Sequence, residues 1–481
     1  MIKYDLDSFD KFMDELFEKS KYPGLSYTVR GPEGIIYQKS FGKRSIEENL
    51  DVDNETMFGL ASMSKSFVCF ALSILAAEGK FSFDDPVTKY LPNFKVPGIP
   101  KDCVTVRHLA MHTSGIPPIQ PLEWSIAMNS VNRPSQWYTA MVNTSPNKMD
   151  KIEQIIDYIA AGDYGQEGYT TLGSPGEYMS YSNEGYAILC YVFDEAAGVK
   201  LEDFLMERVF KPLGMNHTVL DEDSSEARKI SGGNLTHLFE MEDGKLIEDD
   251  DWSVLPPFRS CACIKSTSND VSRYYSMIAN KGKLEGKQVF PEEVIDLMVG
   301  SRFALEQWPL YCYGLSKRFY VDAEGKRRTI TDHSGALHGV STSGGAIDGG
   351  YSAVALCNQG EIDADPFMWA GYNLIMGYPY DKDLHWAKPN GTEFSEPEAL
   401  VGKYIVEEGE PQIVEVTLEN GKLKVVYAGE DVILKHCGQG KFVVYSAKEP
   451  EKRLTTVEFL IRDGKAWAAR CGTRFHWRIK N

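Results

Sequence analysis

The stretch Phe58-Gly-Leu-Ala-Ser62-Met-Ser-Lys65 places a serine three residues before a lysine, at the head of an apolar run. A serine hydroxyl attacks poorly until a base takes its proton. On a helix the i and i+3 side chains share a face, so Lys65 can reach Ser62 Oγ. A helix start also offers free N–H groups and the positive dipole end, which favour developing negative charge. The same S-x-x-K spacing recurs at Ser8, Ser40 and Ser145. Ser8 lies inside an amphipathic segment, and Ser145 precedes a proline in a loop. Ser40 lies in a strand, where i and i+3 point to opposite faces. Only Ser62 opens a buried helix.

Two further groups join it. Tyr181-Ser-Asn183 is the only Y-x-N in the chain and precedes a helical stretch, Glu184–Ala197. In an extended turn, residues i and i+2 project to one side, so Tyr181 and Asn183 can line one pocket wall. A phenolate serves as general base if its pKa falls from about 10 toward 7, and a nearby ammonium such as Lys65 can supply that. The alternative is a buried tyrosine donating one hydrogen bond. The third group is Asp332-His333-Ser-Gly335-Ala336, entering the last strands before residue 358. Gly335 permits close backbone approach, and the Ala336 N–H can complete an oxyanion hole. A second H-x-G, His436-Cys437-Gly438, looks incidental. Other histidines, such as His217 and His385, read as surface or packing residues.

Regular elements must hold these groups. Leu6, Phe9, Met13, Leu16 and Phe17 recur at helical spacing. Leu25–Val29 and Ile35–Phe41 read as strands joined through Gly31-Pro-Glu-Gly34. Ser62–Glu78 reads as a helix that stops at Gly79. Short helices and long loops follow to about residue 300, and strand character returns at 330–358. Strands, then helices, then strands predict an α+β or three-layer domain whose two ends share one sheet. Residues 1–380 are assigned to this domain and 381–395 to a linker marked by Lys388-Pro-Asn-Gly391. Residues 396–481 alternate throughout, with hairpin turns at Asn420-Gly421 and Asp463-Gly464, and read as a small antiparallel β-barrel. That module adds stability or an oligomer contact; in a sharper reading, its loops roof the pocket and limit substrate size.

Composition narrows the function. Of 481 residues, 51 are basic and 69 acidic, for a net charge of −18, which disfavours nucleic acid and anionic membranes. The longest mostly apolar run, Phe67–Ala77, is too short to span a bilayer. The charged start M-I-K-Y-D-L-D is no signal peptide, so a cytoplasmic location is expected. The nine cysteines show no C-x-x-C and read mostly as small buried hydrophobes. No zinc spacing and no phosphate-cradling glycine loop occurs, so no metal or cofactor is expected. The acidic run Glu248–Asp251 reads as a solvated loop.

With these groups in order, the sequence resembles the serine β-lactamase-like, penicillin-recognising hydrolases, which include class C β-lactamases, D-aminopeptidases and esterases. Their S-x-x-K, Y-x-N and K-T-G or H-x-G elements match Ser62/Lys65, Tyr181/Asn183 and His333/Gly335. Val106–Pro117, Lys211–Met215 and Lys265–Asp270 match as flanking stretches, and the likeness runs from about residue 8 to 375. The last module resembles a lipocalin-like barrel. The resemblance implies a three-layer α/β/α domain with an antiparallel sheet and a helical subdomain. It implies Ser62 as the acyl-forming nucleophile, with Lys65 and Tyr181 sharing its proton. Asn183 holds the substrate carbonyl or amide, the Ser62 and Ala336 N–H groups form the oxyanion hole, and His333 supports the site. Gln120 falls where class C enzymes place a pocket glutamine.

Two departures bear on the substrate. His333 stands where β-lactamases have lysine, and an imidazole is mostly neutral at pH 7, which weakens any carboxylate anchor. Ala262-Cys263 replaces the usual Gly-Gly beside the site. The expected activity is cleavage of small amides or short peptides, some with D-residues. A carboxylesterase with the same residues, and a non-catalytic scaffold on this fold, are the alternatives. The expected partner is a small-molecule or short-peptide substrate, with homo-oligomerisation left open.

Overall fold

The computed structural model describes residues 4–129, 141–146, 149–165, 168–242, 244–301, 310–360, 363–384, 387–409 and 411–479. His385 lies outside these described residues. An eight-stranded antiparallel sheet forms the centre of the first domain. It runs Leu310–Tyr311, Ser316–Val321, Arg327–Leu337, Val340–Ile347, Tyr351–Cys357, Gly24–Gly31, Gly34–Ser45, Leu50–Asp51. The N-terminal hairpin therefore lies against the last strand of the domain, with Leu25 opposite Cys357.

Period-two alternation sorts side chains into two layers. On strand Gly24–Gly31, Leu25, Tyr27 and Val29 pack with Phe9, Met13, Phe367 and Met368. These come from helices Leu6–Ser20 and Asp365–Met376, on one face of the sheet. Ser26 and Thr28 point the other way, each 2.8 Å from Ser268 Oγ, and Arg30 Nε donates to Ser272 Oγ. Helix Ser268–Ala279 covers that face, and a larger helical layer lies beyond it. The helix expected from Ser62 begins as a tight turn, Ala61–Ser64, which passes into an α-helix at Lys65–Ala77. Its residues Lys65 to Leu75 are all buried, which is why it reads as apolar all round.

Eight strands between Gly402 and Ile479 close a barrel in which each pairs with the next and the last with the first. This is the up-and-down, lipocalin-like arrangement. Tyr404, Val414, Val416, Phe442, Val444 and Phe459 fill its interior. Asn420 and Gly421 both have positive φ, as the two-residue hairpin turn requires. Among the described residues no helix is long and apolar enough to cross a membrane. One expectation is corrected. Glu248 is not solvated but lies in strand Lys245–Asp249 with its side chain 7 % exposed. It accepts hydrogen bonds from Ser45 Oγ and from the backbone of Ile46 and Glu47, and pairs with His237. These partners offset the cost of burying its charge.

Candidate active site

Ser62 follows a short strand, Phe58–Gly59, which pairs with Lys265–Ser266. The preceding residue, Ala61, has φ 44°, a left-handed conformation unusual for a residue with a Cβ. Lys65 is fully buried and its Nζ donates to Ser62 Oγ at 3.1 Å and to the Cys261 carbonyl at 3.3 Å. Cys261 lies in a short helix, Arg259–Ala262, and its thiol donates to Asn183 O at 3.2 Å. The segment whose Gly-Gly is replaced thus ties the lysine to the Y-x-N turn. Nothing in the sequence pointed to Cys261.

Ser182 is extended and caps helix Asn183–Ala197, its Oγ accepting from Gly185 N at 3.0 Å. Tyr181 and Asn183 flank it, as the i, i+2 spacing expects. Tyr181 is 6 % exposed and its hydroxyl has no partner among the described residues. Its ring stacks on His112 at 4.1 Å, and Lys65 Nζ lies 5.0 Å from its centre. A buried phenol without a partner, with Lys65 over its ring, is the kind of group that packing alone does not explain.

His333, Gly335 and Ala336 share strand Arg327–Leu337. A Cβ on Gly335 would lie 2.4 Å from Leu60 O, 2.7 Å from Thr342 Oγ1 and 3.0 Å from Ser62 N, so only glycine lets this strand abut Ser62. His333 belongs to a hydrogen-bonded chain whose tautomers follow from one end. The backbone N–H of Ser182 donates to His112 Nδ1 at 3.0 Å, so neutral His112 carries its proton on Nε2 and gives it to Tyr311 Oη at 3.2 Å. Tyr311 then donates to His333 Nε2 at 3.3 Å, and His333 Nδ1 donates to Ser334 O. Burial first, then the charges of Lys65 and Arg474, pushes His333 down to about 3. Burial and the same cations hold His112 well below the ordinary histidine range. Both rings are neutral at pH 7. Next to His333, Asp332 pairs with Arg318 at 2.7 Å, yet burial raises its carboxyl to about 6.

The barrel completes the surroundings. Tyr181 N donates to Thr473 O at 2.8 Å, and Phe475 N to Ser180 Oγ at 3.3 Å. The Arg474 guanidinium lies 4.3 Å from the Tyr181 ring centre. Glu408 accepts from Arg474 Nε at 2.7 Å and from Asn183 Nδ2 at 3.0 Å. Gln120 is the candidate that the fold does not bring to the site. Its amide is used twice on Gly409, donating to the carbonyl and accepting the N–H, both at 3.0 Å. It clamps a barrel loop instead of facing the pocket. Two nearby carboxyls, Glu123 and Glu184, are raised to about 7 and about 8, chiefly by burial and then by the charge of Glu408.

Two cavities meet at Ser62. One, of 720 Å³, is bordered by Lys65, Asn183, Glu123, Ala336 and Glu408. The other, of 610 Å³, is bordered by Tyr181, His333, Ala336, Asp332 and Arg318. Thr473 and Arg474 line both, so the barrel roofs each side. Among the described residues no cluster of His, Cys, Asp and Glu has the makings of a metal site.

The chain belongs to the beta-lactamase family, whose model matches residues 9–373. It is 24 % identical over 429 residues to Penicillin-binding protein 4* of Bacillus subtilis (strain 168), covering 87 % of this chain and 86 % of the relative. The octameric penicillin-binding protein homologue from Pyrococcus abyssi superimposes with a TM-score of 0.64 at 22 % identity, over 98 % of this chain and 99 % of that one. A D-stereospecific amidohydrolase from Streptomyces sp. superimposes with a TM-score of 0.57 at 19 % identity, over 75 % of this chain and 96 % of its own.

Proposed function

We propose that this protein is a serine hydrolase that forms an acyl-enzyme on Ser62 and cleaves small amides or short peptides. The observation that carries the reading is Lys65 Nζ at 3.1 Å from Ser62 Oγ and 5.0 Å from the ring centre of Tyr181, whose buried hydroxyl has no partner among the described residues. Ser62 Oγ attacks the scissile carbonyl carbon while its proton passes to the Lys65/Tyr181 pair. The Ser62 and Ala336 N–H groups receive the oxyanion. The leaving amine takes the proton back from Tyr181 and departs on the Tyr181/His333 side, into the 610 Å³ cavity. The acyl group then occupies the 720 Å³ cavity beside Asn183 until water, deprotonated by the same pair, releases it as the acid. Cavities of this size under a barrel roof suit small substrates. The D-stereospecific relative makes D-configured amides the first to try.

The test is labelling by a fluorophosphonate together with steady-state rates on amino-acid amides, short D- and L-peptides and p-nitrophenyl esters. Stoichiometric label on Ser62, and loss of both label and turnover in a folded Ser62→Ala variant, are expected. A chain that labels nowhere would instead be the scaffold. Matched amide and ester pairs separate an amidase from a carboxylesterase, because only the former must protonate a poor amine leaving group. A homo-oligomer, as in the octameric relative, is part of the same proposal and is read from light scattering.

A further inference from the structure

The family motif that begins with lysine begins here with His333, which is neutral, so the strand contributes no positive charge next to Tyr181. The barrel contributes one. Arg474 opens strand Arg474–Ile479, and its guanidinium carbon is 4.3 Å from the Tyr181 ring centre. Two bonds from Arg474 to Glu408, at 2.7 and 3.2 Å, and one to Thr473 Oγ1 at 3.1 Å fix its plane. Thr473 also holds the Tyr181 backbone, so one turn of the barrel sets both the ring and the cation over it. The groups around Tyr181 are Lys65 from the serine helix, His112 from its loop, and Tyr186 one turn on. Tyr311 and His333 approach from the sheet edge, and Arg474 from the barrel with Glu408 behind it. With both histidines neutral, the fixed cations are Lys65 and Arg474.

Resting on the hydrolase reading, we infer that Arg474 is a positioning residue that supplies from the barrel the charge missing at His333. It favours the ionised form of the Tyr181 oxygen before the step. That oxygen then takes the Ser62 Oγ proton as the Oγ–acyl bond forms and the carbonyl π pair moves onto the oxyanion held by the Ser62 and Ala336 N–H groups. The barrel is then part of the proton-transfer machinery and not only a roof. The 4.3 Å separation is to the ring centre, the phenol oxygen lies at the ring edge, and Glu408 offsets part of the guanidinium charge. The attraction is therefore expected to change a rate by up to about two orders of magnitude.

The test compares fluorophosphonate labelling rates of the full-length chain from pH 5 to 9 in the wild type, Arg474→Met, Arg474→Lys and the double variant Arg474→Met/His333→Lys, with circular dichroism reporting the fold. In Arg474→Met, labelling is expected to slow about 100-fold and its acid limb to move to higher pH. Arg474→Lys should keep most of the rate. Restoring a cation at position 333 should recover at least about tenfold, which an arginine acting only as a staple between domains would not allow. Arg474→Met labelling at the wild-type rate with an unmoved profile overturns this inference alone. So does a slowed variant that neither lysine rescues. A wild-type chain that labels nowhere overturns the hydrolase reading and this inference with it.

Discussion

Glu184 offers a measurement in which the direction of the effect is as informative as its size. Its carboxyl is fully buried beside Glu408 and Glu123, with Leu122 N and Ser182 Oγ each 3.4 Å from its oxygens. Burial raises it from an ordinary 4.5 to about 8, so the folded protein keeps the proton that the unfolded chain gives up. Between these two values the native state binds more protons than the denatured state, and stability falls as pH rises. A gap of about 3.5 pH units, at about 1.4 kcal/mol per unit, sets an upper limit of about 5 kcal/mol. Glu184→Gln removes the titration and keeps an acceptor for Leu122. At pH 5, where both side chains are neutral, the variant should lie within about 1 kcal/mol of the wild type. By pH 9 it should be the more stable protein by several kcal/mol. Urea unfolding followed by circular dichroism at each pH gives the difference. Two stability curves that run parallel from pH 5 to 9 would show that Glu184 is ionised in the native state and that the argument is wrong.

Gly335→Ala forces a Cβ against Leu60 O and Ser62 N. A loss of about 1–3 kcal/mol is expected from overpacking, and at least about a 100-fold drop in Ser62 labelling from misplacement; unchanged labelling would mean the strand does not fix the serine. Ala61→Gly relieves the left-handed residue before Ser62 and should raise stability by about 0.5–1 kcal/mol after the greater freedom of the unfolded glycine is counted, so a lower melting temperature would contradict the strain. Because His333 stays neutral down to about pH 3, His333→Gln should leave the pH–rate profile superimposable from pH 5 to 9, and the loss of a limb near 6.5 would show that the imidazole titrates there.

What the sequence disclosed was mostly what local spacing can carry. Ser62 and Lys65 sit on one turn, Tyr181 and Asn183 flank one extended residue, and His333 and Gly335 alternate along one strand. Each pair is fixed by the geometry of its own element. The sheet was legible for a similar reason, since the alternation on Leu25–Val29 and the unbroken apolar run 353–357 each read as a strand. Gln120 misled because position within a motif says nothing about what the side chain meets, and here it meets Gly409 of the barrel. The acidic run ending at Asp251 misled because charge alone does not reveal four donors converging on Glu248 from elsewhere in the chain. Arg474, Glu408 and Cys261 left no local trace, because their roles arise only where distant segments pack together. His112 lay within a recognised flanking stretch, but its stacking on Tyr181 depends on the packing of two loops.

The strand order has a consequence for how the protein is made. Gly24 N donates to Asn358 Oδ1 at 2.8 Å, and these residues lie 334 positions apart. At roughly 5–20 residues per second, a ribosome needs roughly 15 s to a minute to deliver the second partner after the first. Throughout that interval the hairpin 24–45 has an apolar edge with nothing to pair with. The barrel, built mostly from hairpins between neighbouring strands, has a much shorter delay, because only its closing pair, Lys403 with Ile479, spans more than neighbouring strands. Chaperone capture and aggregation therefore compete for the strands 24–45 of every nascent copy, and the central sheet closes only once Asn358 has been made.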